Sequence, residues 1–165
     1  MSLCHDLIEQ AEHLARRELK KPRQASLRRA VSTVYYALFH MLIDDAVPKL
    51  IPNAPDLLRV QARRAFTHAD MRNACEQLTK SSNAFARLLA RPVEAELQTV
   101  AEAFVELQFH RHAADYDLAQ VFDRIKVLGI IGQARAAATA WNMVRNTPNA
   151  NVFLAALLLN SRWNR

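Results

Sequence analysis

The stretch "HRHAADYD" places two histidines, an arginine, two aspartates and a tyrosine in eight consecutive positions, His110 to Asp117. Three roles suit those residue types: metal ligation, an active site, and helix capping. Metal ligation fits worst, and no metal site is expected. On a helix, His110 and His112 project to nearly opposite sides and cannot chelate one ion. His112 with Asp115 or Tyr116 has workable spacing but supplies only two ligands where zinc needs three or four. An active site is the second possibility, since the cluster concentrates ionisable side chains and capping leaves Arg111 and His112 without a structural explanation.

Capping is the third reading. With Asp117 as N-cap, Gln120 falls at the third helical position, so Asp-x-x-Gln resembles a capping box. Tyr116 and Val121 then occupy the two positions of a hydrophobic staple. Arg111 and Asp115, spaced i, i+4, can pair if the preceding helix reaches that far.

The elements that must position these residues are expected to be helices. The chain has 165 residues, of which 51% are apolar, 23% are charged and two are glycine. So little glycine excludes Gly-rich phosphate loops and dinucleotide fingerprints. Abundant alanine and leucine point to an all-α chain. One domain spanning 1–165 is expected, built as an up-and-down bundle of five or six helices.

A first helix should run from the N-cap Ser2 to about Leu19 and stop at Pro22. Ser26 should cap a second, "SLRRAVSTVYYALFHMLIDDA", reaching about Ala46. Its stripe is Leu27, Val31, Val34, Leu38 and Met41, with Tyr35 and Phe39 forming a second apolar face. Such a helix belongs at the centre of a bundle or in a subunit interface. After the connection "VPKLIPNAPD", helical patterns span Asp56–Phe66 and Ala69–Thr79, with a break near Thr67. Ser81 and Ser82 are candidate caps for "NAFARLLA". Pro92 should open a helix ending near Ala114. The next should run from Asp117 to about Val144, with Gly129 and Gly132 as weak points. Thr147–Pro148 reads as cap and first turn of the last helix.

The net charge is +6. Arg16, Arg17, Lys20, Lys21, Arg23, Arg28 and Arg29 cluster around the single acid Glu18, which suits a polyanionic partner. Cys4 and Cys75 show no metal or disulfide spacing. The start of the sequence lacks a signal-peptide pattern, and the longest apolar run, Val152–Leu159, is too short for a bilayer. A cytoplasmic protein without membrane contact is therefore expected.

Two segments, "RRAVSTVYYALFHML" and "RHAADYD", together resemble the HEPN superfamily of small α-helical bundles. The resemblance covers roughly residues 26–144. It is nearest the branch with a Tyr-Tyr-Ala-x-Phe-His helix and an Arg-x-x-Ala-Asp-Tyr-Asp junction. It implies a homodimer in which polar motifs of two bundles meet in a cleft, with no cofactor. Arg111, His112, Tyr116, Arg28 and Arg29 would then bind RNA or a nucleotide. It also implies a possible minimal nucleotidyltransferase partner, as in toxin–antitoxin or stress and defence modules. Many members are metal-independent endoribonucleases that place a histidine five to seven positions after the arginine. Here those positions hold Tyr116, Asp117 and Leu118. Arg63 and His68 satisfy the spacing but lie outside the resembling segments. The resemblance therefore implies a binding or regulatory module. The alternatives are a degenerate endoribonuclease using Arg111 with His112 or Asp115, and a structural scaffold that dimerises through the second face of "TVYYALF".

Overall fold

The computed structural model describes residues 2–78, 80 and 84–163. Among these residues the chain is an all-α helical bundle with no strand. Seven α-helices occur, one or two more than expected: α1 (Leu3–Arg16), α2 (Gln24–Leu50), α3 (Asp56–Arg64), α4 (His68–Leu78), α5 (Ala95–Tyr116), α6 (Arg124–Val144) and α7 (Pro148–Trp163). A short 3-10 turn covers Ala86–Leu88. No helix among the described residues is long and apolar enough to cross a membrane.

The chain divides into two compact units, and the divisions fall within α2, near the middle of α5 and within α6. The first unit comprises residues up to Met41 together with Ala103–Thr139. Helix α1 starts where the sequence places it, with Ser2 Oγ accepting from His5 N at 3.4 Å. It ends at Arg16, short of the expected Leu19. The cause lies far along the chain. The Arg124 guanidinium donates to the carbonyls of Ala15 at 3.1 Å and Leu19 at 3.2 Å, and to that of Glu18. These carbonyls at and beyond the helix end are thereby satisfied without another turn of helix.

Helix α2 begins two residues before Ser26, so Ser26 is not its cap. Its hydroxyl is buried in the first turn and donates to Glu18 Oε1 at 2.9 Å. Glu18 Oε2 accepts from the Arg23 amide at 3.3 Å, and the Ser26 bond leads the interactions that hold the Glu18 carboxyl below its usual range. Leu27, Val31, Val34 and Leu38 are buried, and so are Tyr35 and Phe39 on the second apolar face. This part of α2 is therefore a central helix of the first unit.

The second unit comprises Leu42–Glu102 and residues from Ala140 onward. Helix α2 continues through Pro48, beyond the expected end at Ala46, and stops at Leu50. Proline's missing N–H leaves the Asp44 carbonyl without a helical donor, which suits a last turn. Thr67 caps α4, accepting from Asp70 N at 3.1 Å while its hydroxyl donates to the Asp70 carboxylate. Pro92 lies outside α5, which starts at Ala95. Thr147 caps α7 as expected, its Oγ1 accepting from Ala150 N at 3.2 Å. Helix α4 packs on α7. The buried Asn149 bonds both the amide and the carbonyl of Ala90 and the Glu94 carboxylate. The expected caps Ser81 and Ser82 lie outside the described residues.

Candidate functional site

The α5–α6 junction is built differently from its sequence reading. Helix α5 runs on to Tyr116, and α6 begins only at Arg124. Asp117 therefore caps no helix start. Its Oδ1 accepts from Ala119 N at 2.9 Å and its carbonyl from Gln120 N at 3.3 Å, a tight turn with an Asx bond. Gln120 is not the third residue of a helix, and its side chain donates to the Val121 carbonyl. The staple is absent too, because Tyr116 and Val121 are 65% and 70% exposed. The cap of α6 is Asp123, whose Oδ1 accepts from Lys126 N at 2.8 Å.

The first turns of α2 fix this junction. Arg28 donates to four carbonyls: Ala113 at 3.5 Å and Ala114 at 2.8 Å, then Asp117 at 2.9 Å and Gln120 at 2.6 Å. One guanidinium thus satisfies orphan acceptors at the end of α5 and in the loop. The Gln24 side chain bonds both the amide and the carbonyl of Phe122, whose ring is buried. These contacts override the cap that Asp117 would otherwise supply.

One turn back, α5 carries two side-by-side i, i+4 pairs. On one face Arg111 Nε donates to Asp115 Oδ2 at 2.9 Å. Arg111 Nη2 donates to the Tyr36 hydroxyl at 3.1 Å, and its guanidinium lies 5.6 and 5.4 Å from the ring centres of Tyr35 and Tyr36. Ser32 donates to the other Asp115 oxygen. His40 stacks on Tyr36 with ring centres 6.0 Å apart. On the neighbouring face, about 100° round the helix, the exposed His112 ring rests against Tyr116 at 5.0 Å.

Of the candidates from the sequence, then, Arg111 and Asp115 come together, and Ser32 and Tyr36 join them. His112 and Tyr116 form a separate pair. Arg28 is committed to backbone carbonyls, and Arg29 is exposed at the start of α2. In the second unit, Arg63 pairs with Asp44 at 3.2 Å and His68 opens α4. The sequence reading missed Ser32, Tyr36, Gln24 and Asp123. Only Asp123, an N-cap residue type three positions before Lys126, carried a local signal.

The Arg111 guanidinium has five N–H donors, and its bonds to Asp115 and Tyr36 use two of them. The Asp115 charge offsets that of Arg111 at short range. The arrangement can present N–H donors to an anion, and the His40 imidazole adjoins it through the Tyr36 ring. Among the described residues, no group of three or more His, Cys, Asp or Glu side chains is arranged to hold a metal ion. No family model, no curated protein and no solved structure matches the chain.

Proposed function

We propose that the chain is an HEPN-like helical module that acts as a homodimer and binds RNA or a nucleotide through its phosphates without cleaving it. One observation carries this reading. The two resembling segments meet side chain to side chain, Ser32 and Tyr36 from one bonding Asp115 and Arg111 from the other, while His112 sits on the adjacent face against Tyr116. Arg111 supplies phosphate donors there, while the histidine next to it in sequence, His112, is paired with Tyr116 instead, which favours binding over cleavage.

The electrostatic attraction comes from the bend between α1 and α2. Arg17, Lys20, Lys21, Arg23 and, just inside α2, Arg29 are all exposed. They supply the long-range, salt-sensitive part of the affinity. The dimer does not use the second apolar face of α2, because Tyr35 and Phe39 are buried within the chain. The apolar surface available near the junction includes Leu118, Val121 and Ile125, which are 89%, 70% and 85% exposed. A minimal nucleotidyltransferase belongs to the same proposal as a partner.

The test is RNA binding across a salt series, beside a metal-free cleavage assay on the same preparation. Wild-type affinity should fall steeply with salt. Lys21→Glu with Arg29→Glu should weaken binding at least tenfold at low salt, and Arg111→Ala should weaken it further. No RNA binding at low salt would end the proposal. Cleavage abolished by both Arg111→Ala and His112→Ala would replace it with an endoribonuclease. A monomeric mass in light scattering at every concentration would remove the dimer.

A further inference from the structure

The end of α2, the connection after it, the α6–α7 turn and the start of α7 enclose an open cleft of about 410 Å³. Its lining is Pro48, Lys49, Leu50, Pro52, Asn146 and Asn151, all in the second unit. Small-molecule sites span roughly 300–1,000 Å³, so the volume suits a compact ligand. The sequence reading placed Pro48–Pro52 in a connection and Asn151 in the last helix, and gave neither a functional role.

The chemistry of the lining is one-sided. Among the described residues that line it, Lys49 is the single charged one and none carries a carboxylate. The Lys49 ammonium donates to the Arg145 carbonyl, which uses one of its three N–H groups. Asp45, one turn before Lys49 on α2, is engaged by the Arg145 guanidinium and by Trp141 Nε1 at 2.6 Å. Arg59 adds a second cation, donating from Nη2 to the Pro52 carbonyl at 2.6 Å. Its Nε is buried without a partner among the described residues. Lys49 and Arg59 thus both bond backbone carbonyls beside the cleft, while the Arg145 guanidinium is paired with Asp45.

Two further features select the kind of anion. Asn151 lies in the first turn of the 16-residue α7, at the positive end of the helix dipole, and Asn146 adds a second amide. Pro48, Leu50 and Pro52 complete the lining with apolar surface. A bare inorganic ion would use the polar groups and leave that surface without a contact.

We propose that this cleft binds a small organic phosphate with a planar or apolar body. The phosphate sits between Lys49 and Asn151, and the body lies on the apolar surface. This site is independent of RNA binding by the basic bend.

The test is calorimetric titration of the full chain at low salt with AMP, ribose 5-phosphate, adenosine and inorganic phosphate. AMP should bind more tightly than either phosphate without a base, and adenosine should bind least. Lys49→Met should lose at least tenfold in AMP affinity. That variant also removes a bond to the Arg145 carbonyl, so Asn151→Asp is tested beside it. A carboxylate in a first helical turn favours the helix, so this chain stays folded while the cleft becomes repulsive to phosphate. It should lose at least tenfold as well, and Arg72→Ala, which breaks only an exposed i, i+4 pair on α4, should bind AMP like wild type. The proposal is overturned by undetectable AMP binding at millimolar concentration, or by affinity unchanged in Asn151→Asp. Inorganic phosphate binding as tightly as AMP would also overturn it, since the apolar surface would then have no role.

Discussion

Arg111 and Asp115 are joined at 2.9 Å by side chains that are only 17% and 29% exposed. Exposed helix pairs contribute a few tenths of a kcal/mol because water screens them and both chains must be held in place. This pair differs in having both partners fixed from α2, Arg111 by Tyr36 and Asp115 by Ser32. Its members are therefore ordered before they meet, and less entropy is lost in pairing.

Truncating either partner leaves the other side chain in a half-buried position with fewer bonds. Arg111→Ala and Asp115→Ala should each cost about 1–2 kcal/mol in urea denaturation. The double variant should fall short of their sum by about 1 kcal/mol, the coupling expected of residues in direct contact. Strict additivity would show that the two act separately. Any RNA-binding loss in Arg111→Ala has to be measured where that variant is still folded.

Arg28 offers a sharper case, because one side chain serves four carbonyls. Arg28→Ala should lose about 2–3 kcal/mol and speed amide hydrogen exchange across residues 117–123. Arg28→Lys should recover little, since one ammonium cannot reproduce the planar fork of donors. Recovery by lysine would mean that charge, rather than geometry, holds the loop.

The position of the α6 cap makes a paired prediction. Asp123→Ala removes the acceptor for Lys126 N and should cost about 1 kcal/mol. Asp117→Ala breaks only the bond from Ala119 N within a turn and should cost a few tenths. Thermal denaturation of the two variants side by side decides between them. The opposite ranking would restore Asp117 as the cap.

That reversal shows what local sequence could and could not carry. Ser2, Thr67 and Thr147 mark real helix starts because their partners lie within three residues. Asp117 and Asp123 are both good N-cap types in one stretch. The choice between them is made by Arg28 and by Gln24, which is 98 residues from Phe122. The same split runs through the candidate site. The Arg111–Asp115 pair follows from i, i+4 spacing, whereas Tyr36 and Ser32 join it only through packing of α2 on α5. Helix α1 stops early for the same reason, since the donor to its last carbonyls is Arg124.

His110 gives the chain a pH dependence with a defined sign. Burial pushes its imidazole below the usual value of 6.5, the Lys126 ammonium adds to that, and Glu106 opposes both. The folded chain therefore resists a proton that the unfolded chain accepts. Well above pH 6.5 the residue is neutral in both states and has no effect on stability. As pH falls below 6.5 the unfolded state gains protons first, so stability declines, levelling off once the folded state is protonated too. His110→Gln should remove this decline, and Lys126→Gln should reduce it. Urea denaturation at pH 8, 6.5 and 5.5 measures the difference between each variant and wild type, in which the other histidines largely cancel. A wild-type chain that loses no more stability than His110→Gln over that range would show that His110 is protonated as easily in the folded helix as in the open chain.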